Sequence, residues 1–245
     1  MVSRSHKVAI VTGAGKRLGR RIALEIGGNG FDVVVNYFRS KAGALDTVEK
    51  IRATGQRAFA FRADISRGED VTALVGETIS RFGRIDLLVN NSAVFIDSPL
   101  GKVTNDIWDK TLDINLKGTF LCCQAVAPLM LRRKQGRIIN IASLGGIQAW
   151  KEHIPYSISK AGVIMLTRCL AKSLAPHILV NAVAPGTIIL EGEENMETQH
   201  VPAKGIPLKK YGKPSDITEL VLFLATTAKY ITGQVFVVDG GRSIQ

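Results

Sequence analysis

Short runs of apolar residues alternate along the chain with longer stretches in which apolar positions recur every three to four residues. The short runs are rich in valine and isoleucine and are apolar on both faces, a pattern typical of strands in a buried parallel sheet. The longer stretches have the period of amphipathic helices. The pattern predicts strands at 7–11, 32–36, 57–61, 86–90, 137–141, 178–184 and 234–238. It predicts helices at 17–29, 41–54, 67–82, 104–133, 155–174 and 214–227.

This alternation of strands and helices indicates an α/β fold. Because right-handed crossovers place helices on both faces of a parallel sheet, we expect one doubly wound sheet of about seven strands in a single domain, 1–245. The segment 187–213 interrupts the alternation with polar residues and two prolines. So long a loop in a compact domain is typical of a binding loop or lid, so we expect it to cover a substrate.

Composition narrows the class of protein. The chain has 245 residues, of which 46% are hydrophobic, and can bury a large core. We find no apolar run of membrane-spanning length, so we expect a cytoplasmic protein that does not associate with membranes. Cys122, Cys123 and Cys169 fall in apolar helical patterns without metal-ligand spacing, so we expect buried, reduced thiols and no metal.

The formal net charge of +11 is spread along the chain and is not gathered in a basic tail or patch. This distribution disfavours nucleic-acid binding. It favours electrostatic steering of an anionic cofactor or an acidic carrier protein.

Gly13, Gly15 and Gly19 follow the first predicted strand and open the first helix. A strand that turns into a helix N-terminus forms an anion site, because unpaired N–H groups and the helix dipole complement a phosphate. The last two glycines are one residue further apart than in the common dinucleotide fingerprint. The loop therefore predicts a nucleotide site, in which Arg17 stands where a small residue is expected.

Tyr156 and Lys160 are one turn apart on the helix predicted at 155–174. A nearby ammonium lowers the pKa of a tyrosine, which can then exchange a proton with a reacting oxygen. The same spacing recurs at Tyr37 and Lys41, which we expect to straddle a strand end and to share no helix face. Ser143 follows the strand at 137–141 and can place a hydroxyl at the same sheet edge, where it would donate to a carbonyl oxygen.

Eight motifs fall in the order and spacing of one known family. They are Thr12-Gly13-x-x-x-x-x-Gly19, Asp64, Asn90-Asn91-x-Ala93, Asn115, Ser143, Tyr156-x-x-x-Lys160, Pro185-Gly186 and Val238-Asp239-Gly240-Gly241. They span essentially the whole chain, which therefore resembles the short-chain dehydrogenase/reductases. The resemblance implies a Rossmann-type fold, an oxidoreductase acting on CH–OH and C=O groups, and a homotetramer or homodimer. It places the main interface on the helices at 104–133 and 155–174.

The resemblance also implies residue roles. Tyr156 is the general acid/base, Lys160 lowers its pKa and holds the nicotinamide ribose, Ser143 orients the substrate oxygen, and Asn115 supports a water relay. Asp239 is expected to be structural. The implied cofactor-binding residues are Gly13, Lys16, Arg17, Leu18, Gly19, Arg39, Ser40, Asp64, Ile65, Asn90, Asn91, Ala93, Tyr156, Lys160, Pro185, Gly186 and Ile188.

Charge at the end of the second strand indicates which cofactor binds. An acidic residue there would hydrogen-bond the ribose hydroxyls of NAD, but residues 36–40 read Asn-Tyr-Phe-Arg-Ser. Arg39 can pair with a 2′-phosphate, Ser40 can donate to it, and Lys16 can approach it from the first loop. We therefore expect NADP(H).

Two substrate classes remain open. Arg17 and Phe95 resemble residues of pteridine reductases, in which an arginine bridges cofactor and pterin and an aromatic residue stacks on the pterin ring. Ser143 departs from that branch, which has an aspartate there; it suits a carbonyl oxygen, as in 3-oxoacyl-carrier-protein reductases and general ketone reductases. We favour a carbonyl substrate, free or bound to a carrier protein, over a dihydropterin, with Arg17, Phe95, Ser143 and Tyr156 as its contacts.

A third alternative is a catalytically silent NADP(H)-binding protein. The complete set of Asn115, Ser143, Tyr156 and Lys160 argues against it.

Overall fold

A computed structural model describes residues 6–190 and 202–244 as a parallel sheet with helices on both faces. The strands are β1 (Lys7–Val11), β2 (Phe31–Tyr37), β3 (Ala58–Arg62), β4 (Leu87–Asn90), β5 (Gly136–Ile141), β6 (Ile178–Pro185) and β7 (Val235–Val238). The helices are α1 (Arg17–Gly28), α2 (Lys41–Ala53), α3 (Gly68–Phe82), α4 (Asn105–Leu112), α5 (Gly118–Arg132), α6 (Ile154–Leu174) and α7 (Pro214–Thr226). The predicted α/β class and doubly wound sheet are confirmed.

The strand order is β3-β2-β1-β4-β5-β6-β7, so the winding reverses between β1 and β4. Ile10 in β1 pairs with Val34 on one side and with Leu88 on the other. At such a reversal the loops that leave neighbouring strands diverge to opposite faces, and a crevice opens at the carboxyl ends of the strands.

Alternate residues of the central strands face two separate cores, as the period of a strand requires. Ala9 and Val11 pack in the core that is closed by α1, α2 and α7. Ile10, between them, packs in the core that is closed by α3, α5 and the C-terminal part of α6. Because both faces of β1 are buried, its apolar run is continuous.

The helix predicted at 104–133 is continuous but not regular. A π turn, Asp113–Lys117, joins α4 to α5. In a π turn each N–H bonds five residues back, which adds one residue to the turn and often marks a functional site. Asn115 lies inside this turn and is buried.

The segment Asn105–Arg132 is long and apolar enough to cross a membrane by length and composition alone. In the fold, its α5 part packs on α3, β4 and β5. Core packing therefore accounts for the buried part of this apolar sequence, which is 44% of an 18-residue apolar stretch within it.

The cysteines divide into two kinds. Cys122 and Cys123 are buried as expected, and burial raises the pKa of the Cys123 thiol to about 12. The expectation is wrong for Cys169, which is exposed on α6. Apolar neighbours in sequence did not reveal which side of the helix it occupies.

The predicted substrate loop, 187–213, includes 191–201, which lie outside the described residues. Its two ends are joined: the Gly212 N–H donates to the Thr187 carbonyl at 3.0 Å, and the Ile189 N–H donates to the Gly212 carbonyl at 2.9 Å. The segment therefore leaves and rejoins the domain at one place, and its role as a lid stays a prediction.

Candidate active site

A cleft of about 1180 Å³ opens at the carboxyl ends of the strands. The structure places nearly all the predicted site residues on its walls: Gly13, Lys16, Arg17, Leu18, Gly19, Arg39, Ser40, Asp64, Ile65, Asn91, Ala93, Phe95, Ser143, Tyr156, Lys160, Pro185, Gly186 and Ile188. Asn90 and Asn115 are not among the lining residues.

The loop between β1 and α1 is held tightly against the loop after β4. Gly13 has φ +63°, in the left-handed region that favours glycine. A Cβ on Gly19 would collide with the Asn91 side chain and the Gly13 carbonyl. The Thr12 hydroxyl accepts hydrogen bonds from the N–H groups of Asn91 at 2.9 Å and Ser92 at 3.0 Å. Because the glycines have no side chains, a pyrophosphate can approach the backbone of this loop closely.

The first turn of α1 completes this cradle. Lys16 is the N-cap residue and makes no side-chain capping bond, so the N–H groups of the turn have no side-chain cap. Arg17 has φ +50°, a conformation that costs a residue with a side chain roughly 1–2 kcal/mol. An uncapped helix N-terminus beside two basic residues fits a dinucleotide phosphate.

The end of β2 carries the predicted 2′-phosphate site. Asn36 does not face a ribose: its Oδ1 accepts from the Gly13 N–H at 3.2 Å, and its Nδ2 donates to the Ala63 carbonyl at 3.1 Å. Arg39 lies against Phe38, with 5.6 Å between its guanidinium carbon and the ring centre. Ser40 packs on Gly15, where a Cβ would collide with the serine hydroxyl. The side chains of Arg39 and Ser40 can donate to a phosphate, and residues 36–40 include no carboxylate that would repel it.

Three polar side chains meet where β5 and α6 face the cleft. The Ser143 hydroxyl accepts from the Gly145 N–H at 3.1 Å and hydrogen-bonds to Tyr156. Lys160 is buried, and its Nζ donates to the Ile141 carbonyl at 2.7 Å. The Lys160 Nζ lies 5.8 Å from the centre of the Tyr156 ring.

The pKa of Tyr156 differs from the sequence-based expectation. Burial raises this pKa above its ordinary value, and the hydrogen bond with Ser143 lowers it by less. Lys160 does not reverse the result, because it is directed to the Ile141 carbonyl; burial lowers the pKa of Lys160 itself to about 8. Tyr156 is therefore a neutral phenol at neutral pH, the form that can donate a proton.

Asn115 lies behind the cleft wall and joins three elements. Its Oδ1 accepts from the Val94 N–H at 2.8 Å, and its Nδ2 donates to the Val94 carbonyl and to the Ser159 hydroxyl, both at 3.0 Å. The Ser159 hydroxyl donates to the Tyr156 carbonyl at 2.7 Å. Asn115 thus joins the π turn to the loop after β4 and to the N-terminal part of α6. Its part in a water relay stays a prediction.

Asn90 does not line the groove, contrary to expectation. Its Nδ2 donates to the Asn140 Oδ1 at 2.9 Å and contacts the Cys123 sulfur at 3.2 Å. The alternation of side chains along β4 sends Asn90 into the interior.

The wall beyond Tyr156 is aromatic. Phe95 lies edge-to-face on Tyr156 with 4.7 Å between ring centres, and His153 lies 4.1 Å from Phe95. The Trp150 ring is nearly parallel to the Tyr156 ring, with 6.1 Å between their centres. Phe95 was expected here, but Trp150 and His153 were missed. Their only sequence signal is their position between Ser143 and Tyr156.

Within the described residues, no group of three or more histidines, cysteines or acids is placed to hold a metal ion.

Comparison with known proteins finds reductases and dehydrogenases that match nearly the whole chain. A family model described as enoyl-(acyl carrier protein) reductase matches residues 13–243. A 3-oxoacyl-[acyl-carrier-protein] reductase of Synechocystis is 42% identical, covering 98% of each chain. The corresponding reductase of Staphylococcus epidermidis is 43% identical, covering 96% of this chain and 98% of its own. The crystal structure of acetoin dehydrogenase from Enterobacter cloacae superposes with a TM-score of 0.91 at 35% identity, covering 99% of this chain and 97% of that one.

Proposed function

The chain belongs to the short-chain dehydrogenase/reductase family, and on that basis we propose that it reduces a carbonyl group with a hydride from NADPH. The observation that carries the proposal is the meeting of Ser143, Tyr156 and Lys160 in the cleft that also holds the glycine loop. A catalytically silent protein would have no need of all three groups at one place.

The family uses a nicotinamide cofactor, and the charges in the cleft support the phosphorylated form. Lys16, Arg39 and Ser40 line one end of the cleft. A 2′-phosphate is dianionic and takes charge-assisted hydrogen bonds from such donors. In the same proposal, Asp64 and Ile65 contact the adenine, and Pro185, Gly186 and Ile188 meet the nicotinamide amide.

The proposed mechanism assigns one task to each side chain. NADPH, when bound, supplies the hydride to the carbonyl carbon. Tyr156 donates its proton to the carbonyl oxygen, and Ser143 donates a hydrogen bond to the same oxygen as negative charge develops on it. Lys160 holds the ribose, and its ammonium stabilises the phenolate that remains.

For the substrate we propose a ketone or a 3-oxoacyl group, free or carried by an acidic carrier protein. Two of the relatives named above are 3-oxoacyl-carrier-protein reductases and the third is an acetoin dehydrogenase, which favours this class over the dihydropterins. Arg17 lies in the first turn of α1, so a phosphate contact accounts for it without a pterin. Phe95 contacts the substrate from the aromatic wall.

We also propose that the enzyme works in the cytoplasm as a homotetramer or homodimer. Phe120 of α5 and Ile158 and Met165 of α6 are exposed apolar side chains in a single chain. Their helices are those expected to pair with a second copy, and burial of these side chains there would remove apolar surface from water.

The test is NADPH oxidation with a panel of diketones, 3-oxoacyl esters and dihydropterins. We expect turnover of carbonyl compounds and reduction of the ketone to an alcohol in the product. Turnover of dihydropterins alone would contradict the proposed substrate class. Binding of NADPH without turnover of any panel member would favour a silent protein.

A further inference from the structure

Arg242 begins the short C-terminal turn Arg242–Ile244, and it lines the cleft. Its Nη1 donates to the Thr187 hydroxyl at 3.2 Å, and its guanidinium carbon lies 5.6 Å from the centre of the Trp150 ring. Its carbonyl accepts from Gln148 Nε2 at 3.3 Å. The guanidinium is thereby held between the segment after β6 and the aromatic wall. The Trp150 ring, which it contacts, is the ring that lies nearly parallel to Tyr156.

The turn that bears Arg242 is itself well determined. The Asp239 carboxylate accepts from the N–H groups of Gly241 at 2.9 Å and Ser243 at 2.6 Å. These bonds use both oxygens of Asp239, which lies close enough to act on Arg242 through charge but makes no ion pair with it within the described residues. The carboxylate orients the turn and leaves the guanidinium available to the cleft.

Hydrogen-bond capacity in this part of the cleft is not used up. A guanidinium has five N–H donors in a planar fork, and among residues 6–190 and 202–244 the side chain of Arg242 donates only to Thr187. The Trp150 indole N–H is buried and, over the same residues, also has no acceptor. Burial partly desolvates the Arg242 guanidinium. Because a partly desolvated guanidinium binds an anion more strongly than an exposed one does, its remaining donors indicate an oxygen-rich, negatively charged ligand.

The other charges near the aromatic wall do not oppose such a ligand. Glu152 also lines the cleft, but its carboxylate lies 3.7 Å from the Lys151 ammonium. The whole chain carries a formal charge of +11, which attracts anions.

We propose that Arg242 binds an anionic group of the carbonyl substrate, so that the substrate class is an oxo compound with a carboxylate or phosphate away from its ketone. This inference rests on the proposed function and defines its substrate more narrowly. A carboxylate would come from a free oxo acid, and a phosphate from the thiol that carries a 3-oxoacyl thioester. In both cases the chemistry is an oxyanion on a fork of N–H donors.

The kinetic test compares matched substrates in the wild type and in Arg242→Gln. One pair is a 3-oxo acid and its methyl ester; the other is a 3-oxoacyl thioester of a pantetheine thiol with and without its phosphate. We expect kcat/KM for the anionic member of one pair to fall about 10- to 100-fold, mainly through KM, because a charged hydrogen bond is lost. The neutral member should change less than threefold, and the pair that responds identifies the source of the anion.

Arg81→Gln is the matched control, because Arg81 is an exposed arginine of α3 that pairs with Glu77 and does not line the cleft. It should leave both pairs unchanged. Equal losses on anionic and neutral substrates in Arg242→Gln, or no loss on either, would overturn the inference. Reduction of neutral ketones by the wild type tests the proposed function separately.

A binding measurement decides the inference without turnover. Trp150 lies beside Arg242, so we expect its fluorescence to change when NADP-saturated wild-type protein is titrated with 3-oxobutanoate or with inorganic phosphate, and not in Arg242→Gln. Lack of a response to both anions in the wild type, or the same response in the variant, contradicts an anion site at Arg242.

Discussion

At the scale of single residues, the chemistry depends on burial as much as on spacing. Tyr156 and Lys160 have the spacing that Tyr37 and Lys41 also have, but only the first pair shares a helix and a cleft. Burial then acts on each group in opposite directions: it raises the pKa of Tyr156 and lowers that of Lys160 to about 8. Sequence reasoning found both residues but misjudged the pKa of Tyr156, because the spacing does not state how deeply a hydroxyl is buried or where an ammonium is directed.

The pH profile of ketone reduction should report Lys160. Its pKa in the fold is about 8, below its ordinary value, so the ammonium is present below pH 8 and is lost as the pH rises through that value. We expect kcat/KM to fall on the alkaline side with a midpoint near pH 8. Lys160→Arg keeps its charge over this range and should be less active but flat from pH 7 to 9, so a limb that persists in this variant would assign the titration to another group.

Arg39 should determine the choice between NADPH and NADH. We expect Arg39→Ala to weaken NADPH binding roughly 10- to 100-fold through the lost charged hydrogen bond to the 2′-phosphate, with little effect on NADH. The dissociation constants can be measured by nucleotide fluorescence. Arg62→Ala is the control, since Arg62 lies 5.2 Å from the same Phe38 ring but does not line the cleft. Equal losses for both nucleotides in Arg39→Ala would rule out the phosphate contact.

At the scale of elements, the strands and most helices could be predicted to within one residue at each end, because continuous apolar runs and helical periods both follow from burial on a two-faced sheet. The π turn at Asp113–Lys117 could not, since one additional residue hardly disturbs a helical period. The order and spacing of the eight sequence motifs identified both the family and most of the residues that line the cleft. Trp150, His153 and Arg242 were missed because they lie in irregular or very short segments outside the main helices and strands, where no period is visible.

Asn115 tests the importance of the π turn. Replacing it with alanine removes the hydrogen-bond partners of the Val94 N–H and carbonyl, while the Ser159 hydroxyl loses a donor and keeps its own bond to the Tyr156 carbonyl. We expect Asn115→Ala to lower the free energy of unfolding by about 2–4 kcal/mol and to lower kcat, as measured by urea denaturation and steady-state kinetics. Asn29→Ala, at an exposed asparagine, should cost less than 1 kcal/mol. A loss of under 0.5 kcal/mol in Asn115→Ala would show that the turn does not depend on this side chain.

At the scale of the whole molecule, the residues of the site come from segments that are far apart in the sequence and meet at one edge of the sheet. The glycine loop follows β1, Arg39 follows β2, Ser143 follows β5, and Gly186 and Ile188 follow β6. The C-terminal turn adds Arg242. Parallel strands bring these loops together because all their carboxyl ends lie at one edge. A single domain can therefore hold a long cofactor and a substrate side by side, and its positive charge favours anions in both places.

The most direct test of the central claim is the rate of NADPH-dependent ketone reduction in Tyr156→Phe, which removes only the proton-donating oxygen. Tyr37→Phe, the same substitution at the tyrosine with matching spacing, is the control. We predict that kcat in Tyr156→Phe falls about 10²- to 10⁴-fold while NADPH affinity changes by less than fivefold, and that Tyr37→Phe retains wild-type kcat. Wild-type kcat in Tyr156→Phe would contradict the assignment of Tyr156 as the proton donor.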